Sequence, residues 1–316
     1  MSPGRMLAGT AAALVLAAPA GCGFGEGVES RGEAELRVTR DYGSEVLVDA
    51  TVSDPSESET VLRALDAEVE VETRYGGAFV QSIDGLAGGV QGENKVDWFF
   101  YVDGVESSVG AGEVEVQPGM RIWWDHHEWS GVMRVPAVVG SFPEPLAQSS
   151  TDDPKPVRLE CAGGGEACSE AGERLAEAGV DFTNEPFGSV AGSDELRVLV
   201  GEWEELRRDE TAALIEEGPQ QSGVFAAPVR TNGEWVLQEY DTSGTANDVL
   251  TRGGLVAAVR PGEDPPTWVV SGTDAAGLEA AVAALEEASL RDRYALTLPT
   301  PPGDPTPVPI EEASMK

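Results

Sequence analysis

The sequence predicts an α+β protein with two domains, and three observations support this fold class. The chain has 316 residues, which is enough for two hydrophobic cores. Before residue 133, two β-rich segments precede a segment with helical spacing and then further strands, whereas after residue 155 strands alternate with helices. A segment rich in proline, serine and aspartate separates the two patterns.

The strongest strand signals lie between Val96 and Asp125. Trp98–Val102 is a run of aromatic and β-branched residues that ends at the turn dipeptide Asp103-Gly104. Trp123 and Trp124 follow a second turn dipeptide, Pro118-Gly119. The pattern therefore predicts two strands that are connected by a hairpin turn and a longer intervening segment.

Both faces of the first aromatic strand are apolar. Side chains alternate along a strand, so Trp98 and Phe100 share one face and Phe99 and Tyr101 share the other. A strand of this kind is covered on both sides. An upstream helix can cover one face, and the second face is open to three interpretations: a second domain, a ligand or a partner protein.

The second face supplies the candidate ligand-binding residues, because aromatic side chains serve small-molecule pockets and protein interfaces equally well. Which tryptophan joins the set depends on the register of the strands, since a slip of one residue exchanges the two faces. The candidates are Tyr75, Phe79, Phe99, Tyr101 and Trp123.

The elements of the N-terminal domain are predicted in β-grasp order. Leu36–Val52 predicts two strands with a turn between them. Ser56 and Glu59 form a capping-box pattern, and the apolar spacing after them predicts a helix over Glu57–Ala67. Val71–Ile83 predicts the next strand, before the aromatic strands.

Four segments resemble, in order, the transcobalamin-like C-terminal domain family: GSEVLVDATV, SETVLRAL, VETRYGGAFVQSIDGL and DWFFYVDGVESSVGAGEVEVQPGMRIWW. The resemblance covers residues 36–130 and implies a β-grasp, ligand-binding domain over residues 36–132. The family is similar to the lid-like domain of vertebrate cobalamin carriers. It therefore implies a small-molecule ligand, with a corrinoid such as cobalamin as the first candidate. For a protein that captures such a ligand at the cell surface, we expect an envelope protein such as an uptake transporter as the partner.

Residues 1–22 are predicted to be an export signal, followed by a tether over residues 23–35. Pro19-Ala20-Gly21-Cys22 resembles the lipobox of bacterial lipoproteins, with Cys22 as the lipidated residue. The alternative is ordinary signal-peptidase cleavage after Ala18-Pro19-Ala20. Lipidation of Cys22 predicts a protein that is anchored to the cell membrane and faces outside.

Cys161 and Cys168 are predicted to form a disulfide, because cysteines of exported proteins tend to pair. If these two residues pair, the lipidation of Cys22 leaves no unpaired thiol in the mature protein. This parity argument favours the lipobox over ordinary cleavage.

The rest of the chain is predicted to be a linker over residues 133–155, an α/β domain over residues 156–298 and a disordered, proline-rich tail over residues 299–316. The strands of the α/β domain are predicted at Val157–Glu160, Leu196–Gly201, Val224–Val229, Trp235–Tyr240, Leu255–Arg260 and Trp268–Ser271, and its helices at Glu166–Ala178, Glu204–Glu217 and Ala276–Ala288.

Charge and motifs argue against nucleic-acid binding and catalysis. The net charge of −35 repels nucleic acid. His126 and His127 are neighbours that point to opposite faces of a strand, so we expect solvated strand-end histidines and no metal site. His127-Glu128 is followed by Gly131 where a zinc protease motif needs histidine. No nucleophile elbow or phosphate loop is present, and we expect no enzyme.

Two functions remain after these exclusions. The first is a surface-anchored lipoprotein whose β-grasp module captures a small ligand, with a corrinoid for uptake as the first candidate. The alternative is a structural or protein-interaction module of the cell envelope, in which the aromatic face contacts a partner or the second domain.

Overall fold

The computed structural model describes Met1 and residues 31–75, 79–92, 94–301 and 303–310, with the backbone alone at residues 248–250. The predicted export signal, Cys22 and most of the tether lie outside these residues. The described chain is a mixed α+β fold with four sheets and few helices. No helix of the described residues is long and apolar enough to cross a membrane.

The N-terminal half is built from short strands and one helix. Its elements are β1 (Glu33–Arg40), β2 (Glu45–Ser53), α1 (Val61–Glu68), β3 (Val71–Arg74), β4 (Phe79–Ile83), β5 (Leu86–Ala87), β6 (Gly89–Gln91), β7 (Asn94–Val102), β8 (Val105–Glu106) and β9 (Arg121–Glu128). The main sheet has the order β2-β1-β9-β7-β6, and β8 pairs with β7. β1 runs parallel to β9, and the other pairs are antiparallel. β3, β4 and β5 form a separate small sheet.

Helix α1 covers the first face of the aromatic strand β7, as its apolar spacing predicts. Val61 and Leu65 are fully buried, and they share a core cluster with Trp98, Phe100 and Trp124. The predicted capping box is wrong. The helix begins later, because the Thr60 side chain accepts a hydrogen bond from the Arg63 backbone N–H.

The C-terminal half contains the alternating pattern that the sequence predicts. Its elements are β10 (Val157–Cys161), α2 (Glu166–Glu177), β11 (Thr183–Pro186), β12 (Leu196–Glu202), α3 (Trp203–Leu206), α4 (Glu210–Ala213), a 3₁₀ helix (Leu214–Glu217), α5 (Pro219–Ser222), β13 (Ala226–Thr231), β14 (Glu234–Tyr240), β15 (Ala246–Thr251), β16 (Gly253–Val259), β17 (Thr267–Gly272), α6 (Ala275–Ala283), α7 (Glu287–Leu290), β18 (Ala295–Pro299) and β19 (Thr306–Val308).

The large sheet of this half combines parallel and antiparallel pairs. Its order is β11-β10-β12-β17-β16-β18-β19. The pairs from β11 to β17 are parallel, and those from β17 to β19 are antiparallel. α2 and α6 pack on this sheet through Leu175, Ala281 and Val282, which are fully buried. β13, β14 and β15 form a further antiparallel sheet.

The helix predicted over Glu204–Glu217 is wrong as a single element. It is divided into short turns, because the Asp209 side chain accepts hydrogen bonds from the Thr211 and Ala212 backbone N–H groups and begins a new helix there. Gly218, at φ 84°, then ends the 3₁₀ helix, and Pro219 occupies the first turn of α5.

The disulfide between Cys161 and Cys168 is confirmed, with Cα atoms 5.9 Å apart. It joins the end of β10 to the first turn of α2 across three consecutive glycines. The glycine loop therefore lies inside a closed ring, as the cysteine spacing predicts.

Two segments predicted as irregular are packed instead. In the predicted linker, Val139, Phe142 and Leu146 are buried in the core of the C-terminal half. In the predicted tail, β19 pairs with β18, and Ile310 is buried. Their proline and serine content predicted coil for both segments, but their apolar residues belong to the hydrophobic cores. Residues 311–316 lie outside the described residues.

Candidate functional site

The second face of β7 packs against the C-terminal half. Tyr101 and Trp123 are opposite each other in the antiparallel pair β7–β9, and they are 0% and 3% exposed. Both contact Tyr294, with ring centroids 5.8 Å and 5.2 Å away. Of the three interpretations of this face, the second domain therefore accounts for Tyr101 and Trp123.

The contact between the second face of β7 and the C-terminal half, which we call the seam, also buries His127. Its ring is stacked between Phe99 and Tyr42, with centroids 4.4 Å from each. His126 lies on the opposite face, 5.0 Å from Trp98. The two rings point to opposite faces as expected, but the expectation of solvated histidines is wrong, because β9 lies in the middle of the sheet and both residues are buried.

A buried carboxylate, Asp125, organises the polar groups of the seam. It accepts hydrogen bonds from the backbone N–H groups of Tyr42 at 3.1 Å and Gly43 at 2.9 Å. The Tyr294 hydroxyl donates to it at 3.2 Å, and His127 Nδ1 lies 2.8 Å away. Burial raises the pKa of both Tyr42 and Tyr294. These groups satisfy one another, so the network joins the two halves.

An aromatic cavity of about 330 Å³ lies along the edge of β7. Two of the predicted ligand-binding residues, Phe79 and Phe99, line it. The sequence analysis placed two further lining residues on the first face and left Trp124 to the register, and no sequence signal pointed to the loop that closes the cavity. These additional residues are Trp98, Phe100, Trp124 and the loop 106–111.

The cavity occurs where an edge of β7 is open. β6 pairs only with Asn94–Val96, and β8 pairs only with Tyr101 and Val102. No other strand of the described residues pairs with this side of β7. Alternate residues of an antiparallel strand direct their backbone groups to the same side. The Ser107 N–H donates to the Phe100 carbonyl at 3.0 Å, so Phe100 and Trp98 face this edge.

The polar groups at the cavity are few. Burial raises the pKa of the Glu106 carboxyl, and the neighbouring Arg134, at 3.3 Å, opposes this effect. Ser107 and Ser108 also line the cavity. An apolar cavity with a small number of convergent polar groups is typical of small-molecule sites.

A second groove of about 480 Å³, the Tyr75 groove, shares Phe79 with the aromatic cavity. Tyr75 is 85% exposed and lines this groove with Arg74, Gln81 and Asp97. Burial raises the pKa of the Asp97 carboxyl. The structure therefore brings Tyr75, Phe79 and Phe99 to two adjoining openings and places Tyr101 and Trp123 elsewhere, in the seam.

No cluster of metal-ligating side chains occurs within the part of the chain that the structure describes. The two histidines are on opposite faces of β9, and Asp125, the carboxylate beside His127, is already shared by backbone N–H groups.

Comparisons with known proteins give short matches. The model of a domain of unknown function, DUF4430, matches residues 58–128. A candidate metal-binding protein of Ruminococcus gnavus ATCC 29149 has 15% sequence identity and a TM-score of 0.25, and the alignment covers 31% of this chain and 98% of that one. Haptocorrin in complex with cobinamide has 20% identity and a TM-score of 0.24, over 32% of this chain and 26% of that one. No curated protein matches. The N-terminal half of this chain thus contains a match to DUF4430, over residues 58–128.

Proposed function

We propose that residues 36–132 are a small-ligand-binding module of β-grasp topology. The observation that carries this proposal is the aromatic cavity, which opens at the unpaired edge of β7 and contains Phe79 and Phe99. The sheet order β2-β1-β9-β7, with β1 parallel to β9 and α1 packed across one face, supports the β-grasp assignment.

A corrinoid is the ligand class that we propose first. The sequence resemblance to the transcobalamin-like family supports it, and so do the two adjoining openings that meet at Phe79. A cavity of about 330 Å³ accommodates part of a corrinoid, so the ring edge and its substituents would enter while the remainder lies over the Tyr75 groove.

The cellular role that we propose is capture of this ligand at the outer side of the membrane for delivery to an uptake transporter. The lipobox-like Pro19–Cys22 supports anchoring through lipid on Cys22. The parity of the cysteines adds support, because Cys161 and Cys168 are paired with each other. In this proposal the chain is a binding protein and not an enzyme.

Titration with cobinamide and cobalamin tests the ligand proposal. Two of the lining residues are tryptophans, Trp98 and Trp124, so binding is expected to change the tryptophan fluorescence of the chain prepared without its predicted export signal. Phe79→Ala should weaken binding about tenfold or more, because it removes an aromatic contact shared by both openings. Phe182→Ala is the matched control, since it truncates a partly buried phenylalanine of the other half. Absence of saturable binding by the wild type, or equal binding by both variants, would contradict the proposal.

The second function that we consider is an interaction module of the cell envelope without a small ligand. The burial of Tyr101 and Trp123 by the chain's own C-terminal half favours this alternative. These two aromatic residues pack against the second domain, so they do not contact a ligand. This alternative predicts no corrinoid binding. It also predicts that a cross-linking reagent at Tyr75 would capture an envelope protein in wild-type cells.

A further inference from the structure

The open edge of β7 presents two backbone groups that have no hydrogen-bond partner among the described residues. Trp98 and Phe100 direct their backbone groups to this edge, away from β9. The Trp98 N–H donates to the Asp97 carboxylate at 3.2 Å. The Phe100 carbonyl accepts from the Ser107 N–H at 3.0 Å. The Trp98 carbonyl and the Phe100 N–H remain, and unpaired groups of this kind at a sheet edge are a template for another chain.

The two unpaired groups have the spacing that one residue of a parallel strand requires. In a parallel pair, the N–H of a residue donates to the carbonyl of residue i−1 on the neighbouring strand, and its own carbonyl accepts from the N–H of residue i+1. With Phe99 as residue i, these partners are the Trp98 carbonyl and the Phe100 N–H. An antiparallel residue opposite Trp98 would also need the Trp98 N–H, which Asp97 already accepts. The edge therefore fits one extended residue of a parallel segment.

The open part of the edge is short because the chain itself closes both ends. At the end near β6, Gly88 lies so close to Asp97 that a Cβ atom at position 88 would clash with the carboxylate. At the other end, Ser107 occupies the Phe100 carbonyl. A long strand, such as the edge strand of a second copy, cannot continue the sheet here. The edge instead suits a short extended segment that contributes a single bonded residue.

The aromatic cavity lies beside this edge and receives the neighbouring side chains. Side chains alternate along an extended segment, so the bonded residue lies on the face of Phe99. The residues before and after it project to the face of Trp98, Phe100 and Trp124, which line the cavity. The walls of the cavity are largely apolar, so it fits an aliphatic side chain that adjoins the bonded residue.

The charge of the protein selects among such segments. The chain carries a net charge of −35, which repels an acidic partner. The Asp97 carboxylate lies at the end of the open edge where a parallel segment enters, because β7 runs from Asn94 to Val102. Glu106, the other carboxylate at the cavity, is already paired with Arg134. A basic residue ahead of the bonded residue would therefore lie near Asp97 and be attracted to it.

We propose that the open edge of β7 binds a short extended segment of a partner protein in parallel orientation. The segment has an aliphatic residue on either side of the bonded residue and a basic residue ahead of them. Its backbone hydrogen bonds supply affinity, and the aromatic cavity supplies specificity. This inference goes beyond the capture of a small ligand and does not rest on the corrinoid proposal, because it depends on the backbone of β7. A segment bound here occupies the aromatic cavity and excludes a corrinoid from it.

Hydrogen exchange of the free protein, followed residue by residue in NMR spectra, tests the open edge. The Phe100 N–H should exchange at least about tenfold faster than the Tyr101 N–H. Tyr101 is the matched control, because it is the next residue of β7 and faces β9 opposite Trp123. Equal protection of the two N–H groups in a monomer would overturn the proposal. Protection of Phe100 in a dimer would assign the edge to a second copy and would also overturn it.

Titration of the chain without its predicted export signal with the peptide acetyl-Arg-Leu-Ser-Leu-amide tests the partner, with tryptophan fluorescence as the signal. Serine is the bonded residue, and the two leucines face the cavity. Methylation of the serine nitrogen removes the donor to the Trp98 carbonyl and should weaken binding about tenfold or more. Methylation of the nitrogen of the last leucine is the matched control, because that N–H points away from β7, and it should change binding little. Glutamate in place of arginine should weaken binding at low ionic strength.

The outcomes of these titrations separate this proposal from the corrinoid proposal. No saturable binding of the parent peptide, or equal weakening by the two methylations, would overturn docking at the edge of β7. Equal binding of the arginine and glutamate peptides would overturn the selection for a basic segment. A parallel titration with cobinamide completes the comparison. Cobinamide binding without peptide binding would overturn the docking of a segment alone, whereas peptide binding without cobinamide binding would support it and contradict the corrinoid proposal alone.

Discussion

Asp103 offers a sharp test of how burial at the seam controls stability. It lies in the turn after β7 at φ 52°, accepts a hydrogen bond from the Arg121 N–H at 2.8 Å and accepts another from the Ser150 hydroxyl at 2.7 Å. Burial raises the pKa of its carboxyl from 3.8 to about 6, and these two hydrogen bonds only partly oppose the increase. The perturbation that we propose is Asp103→Asn, which keeps an acceptor for the Arg121 N–H and removes the charge.

The sign of the effect follows from proton linkage. The folded state holds the proton more tightly than the unfolded state, so the contribution of Asp103 is fully present below pH 3.8 and is lost as the pH rises to about 6. A difference of about 2 in pKa corresponds to about 3 kcal/mol when it is fully expressed. Because Asn does not titrate, Asp103→Asn should become more favourable relative to wild type by about 1–3 kcal/mol between acidic and neutral pH.

Urea denaturation of both proteins over a pH series from about 3.5 to 8 measures this difference, since linkage acts over that window. Asp84→Asn is the control, because Asp84 occupies a similar Asp-Gly turn at φ 48° and accepts a backbone hydrogen bond from Glu70, but it is exposed. The free energy of unfolding of Asp103→Asn relative to wild type should rise across the window by more than that of the control. A difference that is constant with pH would refute the reasoning that burial at the seam raises the pKa of Asp103.

Three further predictions concern other parts of the chain. Trp123→Ala should lower the free energy of unfolding by about 3–5 kcal/mol in urea denaturation, because it leaves a cavity at a buried aromatic position between the halves. The corrinoid affinity per folded molecule should not change. Cys161→Ser with Cys168→Ser should cost about 2–3 kcal/mol in the same assay, since the bond closes a short loop, and no loss would contradict the entropy argument. Cys22→Ala should move the protein from the membrane fraction to the medium, and retention on immunoblots of the fractions would contradict lipidation.

Local features of the sequence determined most of the secondary structure and one covalent link. The alternation of Trp98 to Tyr101 predicted two apolar faces, and both faces are packed. Helical spacing predicted α1 and α6. Helix α1 begins later than predicted because Thr60 and not Ser56 accepts the capping bond, and α6 ends at Ala283 and not at Ala288. These features depend on near neighbours in the chain, which is why a pattern of residues is enough to predict them.

The roles of the five candidate aromatic residues could not be assigned in the same way. Tyr101 and Trp123 carry the same local signal as Phe99, yet they are buried against Tyr294, which is more than 170 residues away from Trp123 in the chain. Phe79 and Phe99 reach a cavity because β6 and β8 leave part of the β7 edge uncovered. Which face meets the other half is a property of docking and register, and no local pattern encodes it.

The sequence by itself therefore determined the α+β class, the two apolar faces of β7 and the pairing of Cys161 with Cys168. Only the tertiary structure decided that Val139 and Phe142 belong to the core and that His126 and His127 are buried. The physical reason is that burial depends on surfaces contributed by segments far apart in the chain. Proline-rich composition or a pair of histidines has the same appearance in sequence whether or not another segment packs over it.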